Sequence, residues 1–218
     1  MKDRNRVNGG KSDSVMSARM QSSLEKTRPR RGPPEQTRDR LIAAAAKLFN
    51  RVGYHGTDSN RIAKAAGYAA GTFYKHFKDK RAIFLAAYEL WVMKEWDAVA
   101  RECANEQSVE AMAAKLVSLG IEFHTRWRKL RASLLELVVS DTQVRAFYRL
   151  QRKRQLDLMV ILRSQVANTP RRREDDAIHL FTSERTFDAI ATGEARDLEL
   201  DVAVVREEMI RRVVAILT

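Results

Sequence analysis

Cysteine, proline and glycine are all scarce in this sequence of 218 residues. Its one cysteine, Cys103, excludes an internal disulfide and is typical of a reducing cytoplasm, where we expect the protein to reside. Only 4 prolines and 9 glycines interrupt a chain rich in alanine, leucine, arginine and glutamate, and this composition favours helix nearly throughout. No segment alternates apolar and polar residues with the period of a strand over a useful length. We therefore predict an all-α fold.

Long apolar runs are missing as well. None approaches the roughly 18 residues that a membrane span requires, and the basic first residues lack the apolar segment of a signal peptide. Hydrophobic residues make up 44% of the chain and charged residues 31%, which is the balance of a soluble globular protein. We expect no membrane partner.

Acidic residues are scarce in the first third of the chain. Residues 1–80 carry 18 Lys/Arg against 7 Asp/Glu, a net charge of +11, whereas residues 81–218 carry 22 against 21, a net charge of +1. Nearly all of the overall charge of +12 therefore lies in one segment. A basic excess concentrated in this way is typical of a surface that binds nucleic-acid phosphates.

Helices are predicted from about residue 37 onward within this basic segment. The first runs over about residues 37–52, where apolar residues recur at helical spacing, and Gly53 follows where a helix-ending glycine is expected. A second, short helix begins after Thr57 or Asp58, either of which can cap it, and ends at Gly67. The residues before them, 1–35, have little apolar periodicity and are predicted to form a disordered basic arm. Alternatively this arm follows DNA phosphates or the minor groove, or the true start is Met16 or Met20.

The third helix, about residues 70–77, completes a helix-turn-helix, in which one helix packs and the next enters the DNA major groove. Phe73 and Phe77 stand four residues apart and are predicted to face inward. The side chains between and before them then face outward: Thr72, Tyr74, Lys75 and His76.

Longer helices are predicted over the rest of the chain. The first of them, after a cap at Asp79, runs over about residues 80–103 and places Ile83, Phe84, Ala87, Tyr88, Trp91 and Glu95 on one side. The others are placed at about 108–126, 129–140, 143–167, 173–192 and 199–217.

Several short motifs occur in a fixed order along the basic segment. They are Ala44-Ala45-Ala46-Lys47-Leu48-Phe49, Gly53-Tyr54 with Thr57, Ile62-Ala63-Lys64-Ala65-Ala66-Gly67, Gly71-Thr72-Phe73-Tyr74-Lys75-His76-Phe77 and Asp79-Lys80. In this order and spacing, residues 37–88 resemble the DNA-binding domain of the TetR family of bacterial transcriptional regulators. The resemblance departs from the usual pattern at Ala69, where family members often carry a helix cap, and at Ser59 and Asn60.

The resemblance implies a homeodomain-like three-helix domain followed by a helical effector-binding and dimerisation domain. We accordingly predict an arm over residues 1–35, a DNA-binding domain over residues 36–83 and the second domain over residues 84–218. It also implies a repressor that binds a palindromic operator in double-stranded DNA as a homodimer and is released by a small hydrophobic ligand. A dimer is favoured independently, because one short recognition helix reads few bases.

DNA contacts are expected from the second and third helices and the start of the fourth. Each of four residues has an alternative role. Tyr74 would instead pack against the first helix, and His76 would cap or pack a helix. Gly71 would simply be tolerated in a first helical turn, and Lys80 would be a solvated lysine. The predicted DNA-binding residues are Asn60, Ala70, Gly71, Thr72, Tyr74, Lys75, His76 and Lys80.

Aromatic and polar residues in the second domain are the candidates for an effector site, with ordinary core or surface positions as the alternative. They are Trp91, Trp96, Phe123, His124, Trp127, Glu136, Phe147 and Tyr148.

Two stripes near the C-terminus are predicted to form the dimer interface, with intramolecular core as the alternative. They are Leu180, Glu184, Phe187 and Ala191, and Val202, Val205, Met209, Val213 and Ile216.

Catalytic motifs are absent from the sequence. It has no G-x-S-x-G, no phosphate-binding glycine loop, no paired cysteines and no H-E-x-x-H, and its four histidines are scattered at positions 55, 76, 124 and 179. We therefore expect no catalytic site, no metal site and no cofactor. Two alternatives to an effector-responsive repressor remain: a constitutive DNA-binding protein without an effector, and an enzyme with a fused DNA-binding domain.

Overall fold

The computed structural model describes residues 33–103, 106, 108–164 and 171–218. All but the last three residues of the predicted arm, and the last three residues of the helix predicted over residues 143–167, lie outside this part. The described residues form ten α-helices and no strand, which confirms the all-α prediction. The helices are α1 (Pro34–Val52), α2 (Ser59–Ala65), α3 (Ala70–His76), α4 (Lys80–Cys103), α5 (Val109–Arg126), α6 (Arg128–Ser140), α7 (Thr142–Ser164), α8 (Arg173–Thr192), α9 (Glu194–Asp197) and α10 (Val202–Leu217).

Helix α1 begins earlier than its apolar periodicity predicted. Pro34 lies in the first turn, where a missing backbone N–H costs nothing. At the other end the N–H of Gly53, a residue with φ of +75°, donates to the Phe49 carbonyl at 2.9 Å. A glycine is favoured here because other residues rarely adopt this left-handed backbone.

The first hydrophobic core lies between α1–α4 and α6. Phe49, Phe73 and Phe84 are fully buried in it, and the Phe49 and Phe84 rings meet edge to face at 5.0 Å between centroids. Leu130 and Leu134 of α6 are equally buried in this core. The three-helix unit α1–α3, which is the predicted DNA-binding unit, therefore shares its interior with a helix from the second half of the chain.

The second core lies between the last turns of α4 and helices α5, α8 and α10. Val99, Val117 and Met209 are among its buried residues. Helices α5 and α8 approach closely at Gly120, where an added Cβ would lie only 2.4 Å from the Phe187 ring. Helix α4, with 24 residues, contributes to both cores and so connects them rigidly.

Helix boundaries in the second half match the predictions closely, with two differences near the C-terminus. The four-residue helix α9, after Gly193, was missed because so short a segment carries no periodic pattern. Helix α10 begins at Val202 rather than near residue 199, because the Asp201 carboxylate caps it by accepting a hydrogen bond from the Ala203 N–H at 2.8 Å.

Candidate nucleic-acid interface and effector cavity

The turn between α2 and α3 is built from a cap, a glycine and backbone hydrogen bonds. Asp58 caps α2 by accepting a hydrogen bond from the Arg61 N–H at 2.9 Å. Gly67, with φ of +82°, lets the chain reverse, and the Tyr68 N–H donates to the Ala63 carbonyl at 2.9 Å. These contacts set the angle at which α3 leaves the domain.

Helix α3 has one buried face and one exposed face. Phe73 is fully buried and Phe77 is 5% exposed, whereas the Tyr74 side chain between them is 58% exposed. The Tyr74 ring contacts only the edge of Phe73 within this helix, at 5.2 Å between centroids. The inward phenylalanines were therefore predicted correctly, and Tyr74 is available at the surface for a DNA contact.

The other residues predicted to contact DNA on α2 and α3 are exposed or partly exposed. An added Cβ at Gly71 would meet no atom within 4 Å, so the backbone is open to approach from outside. Ala69, at the N-cap of α3, makes no side-chain cap, as expected from its identity. Asn60, Ala70, Gly71 and Lys75 are exposed, and Thr72 and His76 are partly exposed.

Lys80 is held by the DNA-binding unit itself. Its Nζ donates hydrogen bonds to the carbonyls of Tyr54 and Thr57, both at 3.1 Å, and lies 4.1 Å from the centre of the Tyr54 ring. Burial lowers the pKa of Lys80. Lys80 therefore anchors the loop between α1 and α2, and its contact with a phosphate remains a prediction.

A cavity of about 180 Å³ lies within the second core, between α4, α5, α7, α8 and α10. Three of the predicted effector residues line it: Trp96, Phe123 and His124. Its apolar wall also includes Val99, Leu116, Val117, Gly120, Met159, Leu180, Phe187, Val213, Ile216 and Leu217. Its polar lining also includes Glu95, Gln155, Arg163, Asp176, His179, Ser183 and Glu184.

Five predicted effector residues do not line this cavity. Trp91 is buried in the first core, and Trp127, Phe147 and Tyr148 pack against that core. Glu136 is exposed at the surface, with an oxygen 3.4 Å from His55 Nε2. Aromatic content alone did not distinguish the two cores, since both are rich in large rings.

A buried charge network borders the cavity. Arg131 Nε donates to Asp188 Oδ1 at 2.9 Å, and its Nη2 donates to Glu184 Oε2 at 3.1 Å. His124 Nδ1 lies 2.7 Å from Asp188 Oδ1, and Arg152 forms an ion pair with Glu184. Burial alone would raise the pKa of Asp188, but hydrogen bonds from His124 and Arg131 lower it to about 2.

A second group of ionisable residues lines the same cavity. Asp176 is 1% exposed; its Oδ1 is paired with Arg163, but its Oδ2 has no hydrogen-bond partner. Glu95 Oε1 is also buried without a partner of normal geometry. Burial raises the pKa of Glu95 to about 9, and the neighbouring Trp91 indole offsets only part of that rise. Burial likewise lowers the pKa of His179.

Most of these charged lining residues were missed from the sequence, although a signal was present. Asp176 and Glu184 fall on the same helical face as Leu180 and Phe187, and Glu95 falls on the inward face of α4. A charge on an otherwise apolar helix face is buried, paired or placed at a site. That pattern marks polar cavity residues better than aromatic content does.

Helix α6 joins the DNA-binding unit to the charge network. On one side Ser133 Oγ accepts a hydrogen bond from the Tyr54 N–H at 2.9 Å, and Lys129 Nζ donates to the Arg51 carbonyl at 2.9 Å. On another side Arg131 contacts the α8 carboxylates. A shift of those carboxylates is thus connected through one helix to the loop after α1.

The two stripes predicted for dimerisation are largely part of the subunit interior. Leu180, Glu184, Phe187 and Ala191 are buried, and so are Met209 and Val213, because these faces of α8 and α10 pack on α5 and around the cavity. Val202, Val205 and Ile216 are partly exposed. The outer faces of the same helices carry exposed Ile178, Phe181 and Val204.

No group of three or more His, Cys, Asp or Glu suited to holding a metal ion occurs among the described residues. Within the same part of the chain, no helix is long and apolar enough to cross a membrane.

Comparison with known proteins places the DNA-binding unit in a family. Residues 41–87 match the family model described as bacterial regulatory proteins, tetR family. The HTH-type transcriptional regulator AcrR of Shigella flexneri is 41% identical over 56 residues, which are 26% of this chain and 26% of AcrR. The chain thus matches only about a quarter of that relative's length.

Solved structures resemble the whole fold at low sequence identity. The regulator FadR of Bacillus subtilis, in complex with stearoyl-CoA, has a TM-score of 0.61 and 19% identity, and the match covers 80% of this chain and 96% of FadR. A putative regulator of Saccharomonospora viridis, in complex with choline, has a TM-score of 0.65 and 18% identity, with 80% and 94% covered. These likenesses concern the fold alone and extend over four fifths of the chain.

Proposed function

We propose, from the premise that the chain belongs to the TetR family of bacterial regulatory proteins, that it is a transcriptional repressor in the cytoplasm. It binds a palindromic operator in double-stranded DNA as a homodimer and is released by a small hydrophobic effector. The strongest support is one continuous helix, α4, which connects the helix-turn-helix to the wall of the cavity.

The DNA contacts are made by the exposed face of α3 and its neighbours. Phe73 and Phe77 hold the helix from inside, so that the outward side chains are presented with little freedom. Tyr74, Thr72 and His76 contact phosphates or base edges, Lys75 contacts phosphates, and Gly71 permits close approach of the backbone. Asn60 and Ala70 are the base-reading candidates, Ala70 through an apolar contact such as a thymine methyl. Lys80 orders the loop and adds positive charge.

Dimerisation involves the outer faces of α8 and α10. Ile178, Phe181 and Val204 are 60%, 55% and 56% exposed, which is unusual for large apolar residues on neighbouring helices. Phe181 and Val204 lie in one surface groove that is bordered by Arg185 and Glu208. A two-fold dimer brings the same patch of each subunit together, so an apolar centre with a charged border suits it.

The effector binds in the cavity of the second core. The solved neighbours hold stearoyl-CoA or choline, which supports ligand binding in a fold of this kind. A ligand among α4, α5 and α8 displaces the cavity wall and changes the spacing of the two DNA-binding units. It releases DNA only insofar as it binds the released conformation better, and such coupling typically supplies about 1–3 kcal/mol.

Selection from a randomised duplex pool with the full chain tests the DNA-binding part of the proposal. We expect enrichment of a palindrome whose half-sites are about one helical turn, or a multiple of it, apart. Absence of an enriched palindrome at moderate salt contradicts the proposal. A ligand screen by thermal shift then tests the effector, since a true effector stabilises by mass action. Operator binding without any such ligand identifies a constitutive binder instead.

A further inference from the structure

The cavity and its border hold four carboxyl groups, and three of them pair with an arginine among the described residues. The three arginines that contact these carboxyl groups are engaged: Arg131 and Arg152 pair with Glu184 or Asp188, and Arg163 pairs with Asp176. Three arginines thus face three carboxylates. Glu95 lines the same cavity without an ion-pair partner among the described residues.

Two carboxylate oxygens in the cavity have no hydrogen-bond partner among the described residues. Glu95 Oε1 and Asp176 Oδ2 are both buried and accept no hydrogen bond of normal geometry. Leaving a buried acceptor unsatisfied costs on the order of 1–3 kcal/mol, and more for a charged group. A ligand that brings a positive charge satisfies these oxygens, whereas an anion meets two acceptors and arginines that already pair with Glu184, Asp188 and Asp176.

The surroundings of Glu95 favour an apolar body on that ligand. Trp96, Phe123 and Phe187 line the cavity, and aromatic faces attract a cation as well as an apolar group. The volume of about 180 Å³ admits a compact molecule.

We propose, on the basis of the proposed function, that the effector is a compact apolar cation whose charge is held by the Glu95 carboxylate. The cation contacts the aromatic walls through its apolar part, and Asp176 Oδ2 supplies a second acceptor in the same cavity. Glu95 belongs to α4, so the ligand's charge is bound directly to the helix that continues into the DNA-binding unit.

Binding of this ligand moves one proton. In the free protein burial keeps the Glu95 carboxyl protonated at neutral pH, because its pKa is raised to about 9. When the cation binds, the carboxyl ionises and its proton leaves to solvent. The observed affinity then rises about tenfold for each pH unit up to that pKa, since the ionised fraction of Glu95 rises in proportion.

Other titratable and charged groups line or border the cavity around Glu95. They are Arg126 and His124 on α5, Arg131 on α6, Arg163 on α7, and Asp176, His179, Glu184 and Asp188 on α8. The pKa of His179 is lowered by burial, so it stays neutral between about pH 7 and pH 9.

A matched set of probes tests the charge of the ligand. Benzyltrimethylammonium is the cation, neopentylbenzene is its neutral carbon analogue, and phenylmethanesulfonate is an anion of similar size. We expect the full chain to bind the cation with at least about tenfold higher affinity than either of the others at pH 8. Tighter binding of the anion or of the neutral analogue overturns the inference.

Glu95→Gln and Asp97→Asn form the variant and its control. Gln has the shape of the protonated carboxyl and cannot ionise, whereas Asp97 is an exposed carboxylate on the same helix. Calorimetry in two buffers of different ionisation enthalpy is expected to show about one proton released per cation near pH 7 for the wild type and for Asp97→Asn. Glu95→Gln is expected to release none and to lose the pH dependence of affinity. Equal proton release or an equal pH dependence in Glu95→Gln overturns the inference.

If Glu95→Gln fails to fold, the test is proton release by the wild type when the cation binds. No proton release by the wild type overturns the inference. Operator titration separates this inference from the proposed function. Release of the operator only by a neutral or anionic ligand supports the repressor and overturns the cationic effector. Cation binding with proton release but with unchanged operator affinity supports the Glu95 site and contradicts its regulatory role.

Discussion

At the scale of single residues, helix α3 has buried residues that anchor it and exposed residues that we propose contact DNA. Phe73 and Phe77 are buried beneath α3, and Tyr74 projects from it with 58% of its side chain exposed. One residue can therefore be changed for stability and its direct neighbour for DNA affinity. This alternation was visible in the sequence, because side chains four residues apart share a helix face.

Phe73→Ala is expected to lower stability, whereas Tyr74→Ala is expected to lower operator affinity. Phe73→Ala leaves a cavity in the first core and lowers the free energy of unfolding by about 3–5 kcal/mol. Tyr74→Ala is expected to change stability by less than about 0.5 kcal/mol and to weaken operator binding by about tenfold or more. Urea unfolding of both variants measures the stability, and operator titration measures the affinity for DNA. A large loss of stability in Tyr74→Ala contradicts the expected separation of the two roles.

Asp188 is expected to make stability depend on acid pH. Burial opposes ionisation, but His124 and Arg131 lower its pKa to about 2, below the ordinary value of 3.8. A lowered pKa contributes stability that is complete above about pH 4 and is lost as the pH falls toward 2. Since the carboxylate is partly exposed, we expect a contribution of only about 1–2 kcal/mol.

Unfolding of the wild type and of Asp188→Asn at about pH 6 and about pH 3 measures this contribution. The difference in free energy of unfolding between the two proteins should shrink as the pH falls. Asp197→Asn, at an exposed carboxylate on α9, is the control. A difference between wild type and Asp188→Asn that stays constant with pH contradicts the expectation.

At the scale of helices, α6 contacts both the core of the DNA-binding unit and the border of the cavity. Leu130 and Leu134 complete the core of the DNA-binding unit, and Arg131 between them contacts carboxylates at the border of the cavity. Helix α4 connects the same two regions by covalent continuity. Two helices thus connect the cavity with the DNA-binding unit, as the proposed release of DNA by an effector requires.

Ser133→Ala is expected to loosen α6 from the loop after α1. The change removes the acceptor of the Tyr54 N–H, and an unsatisfied, partly buried donor costs about 1–3 kcal/mol. Hydrogen exchange should become faster at the Tyr54 amide, and the melting temperature should fall. Ser140→Ala, at an exposed serine of the same helix, is the control. Unchanged exchange at Tyr54 would contradict a role for this contact.

The long helices were predictable because apolar periodicity records their packing. The predicted bounds of α8, residues 173–192, agree with the structure, and the bounds of α2–α4 agree within a few residues. Capping residues improved the prediction at Asp58 and Asp79. Helix α9 was missed because a four-residue helix has no periodic pattern. The start of α10 was misplaced because several nearby residues could have capped the helix.

At the scale of the molecule, the arrangement of the two DNA-binding units would be set by the proposed dimer. The apolar outer face of α8 and α10 is expected to hold two copies together, and the distance between their α3 helices then sets the half-site spacing. A subunit alone contacts one half-site and binds more weakly, because the second contact is no longer intramolecular.

Phe181→Asp is expected to convert the dimer to a monomer. A carboxylate at this position, which is 55% exposed in the single subunit, is buried when two copies meet and opposes their association. Light scattering after size-exclusion chromatography measures the mass, and operator affinity should fall on the order of 100-fold. Val139→Asp, at a residue of α6 that is 76% exposed, is the control. A dimeric Phe181→Asp protein contradicts the proposed interface.

Sequence alone determined the all-α fold, the position of the helix-turn-helix and the inward direction of Phe73 and Phe77. These features follow from local rules: helical periodicity, capping and glycine at a left-handed turn all act within a few residues. Only the tertiary structure decided which aromatic residues surround the cavity and which carboxylates remain unpaired there. Glu95 and Asp176 are 81 positions apart in the sequence, and no local pattern records that two distant helices bring them to the same cavity.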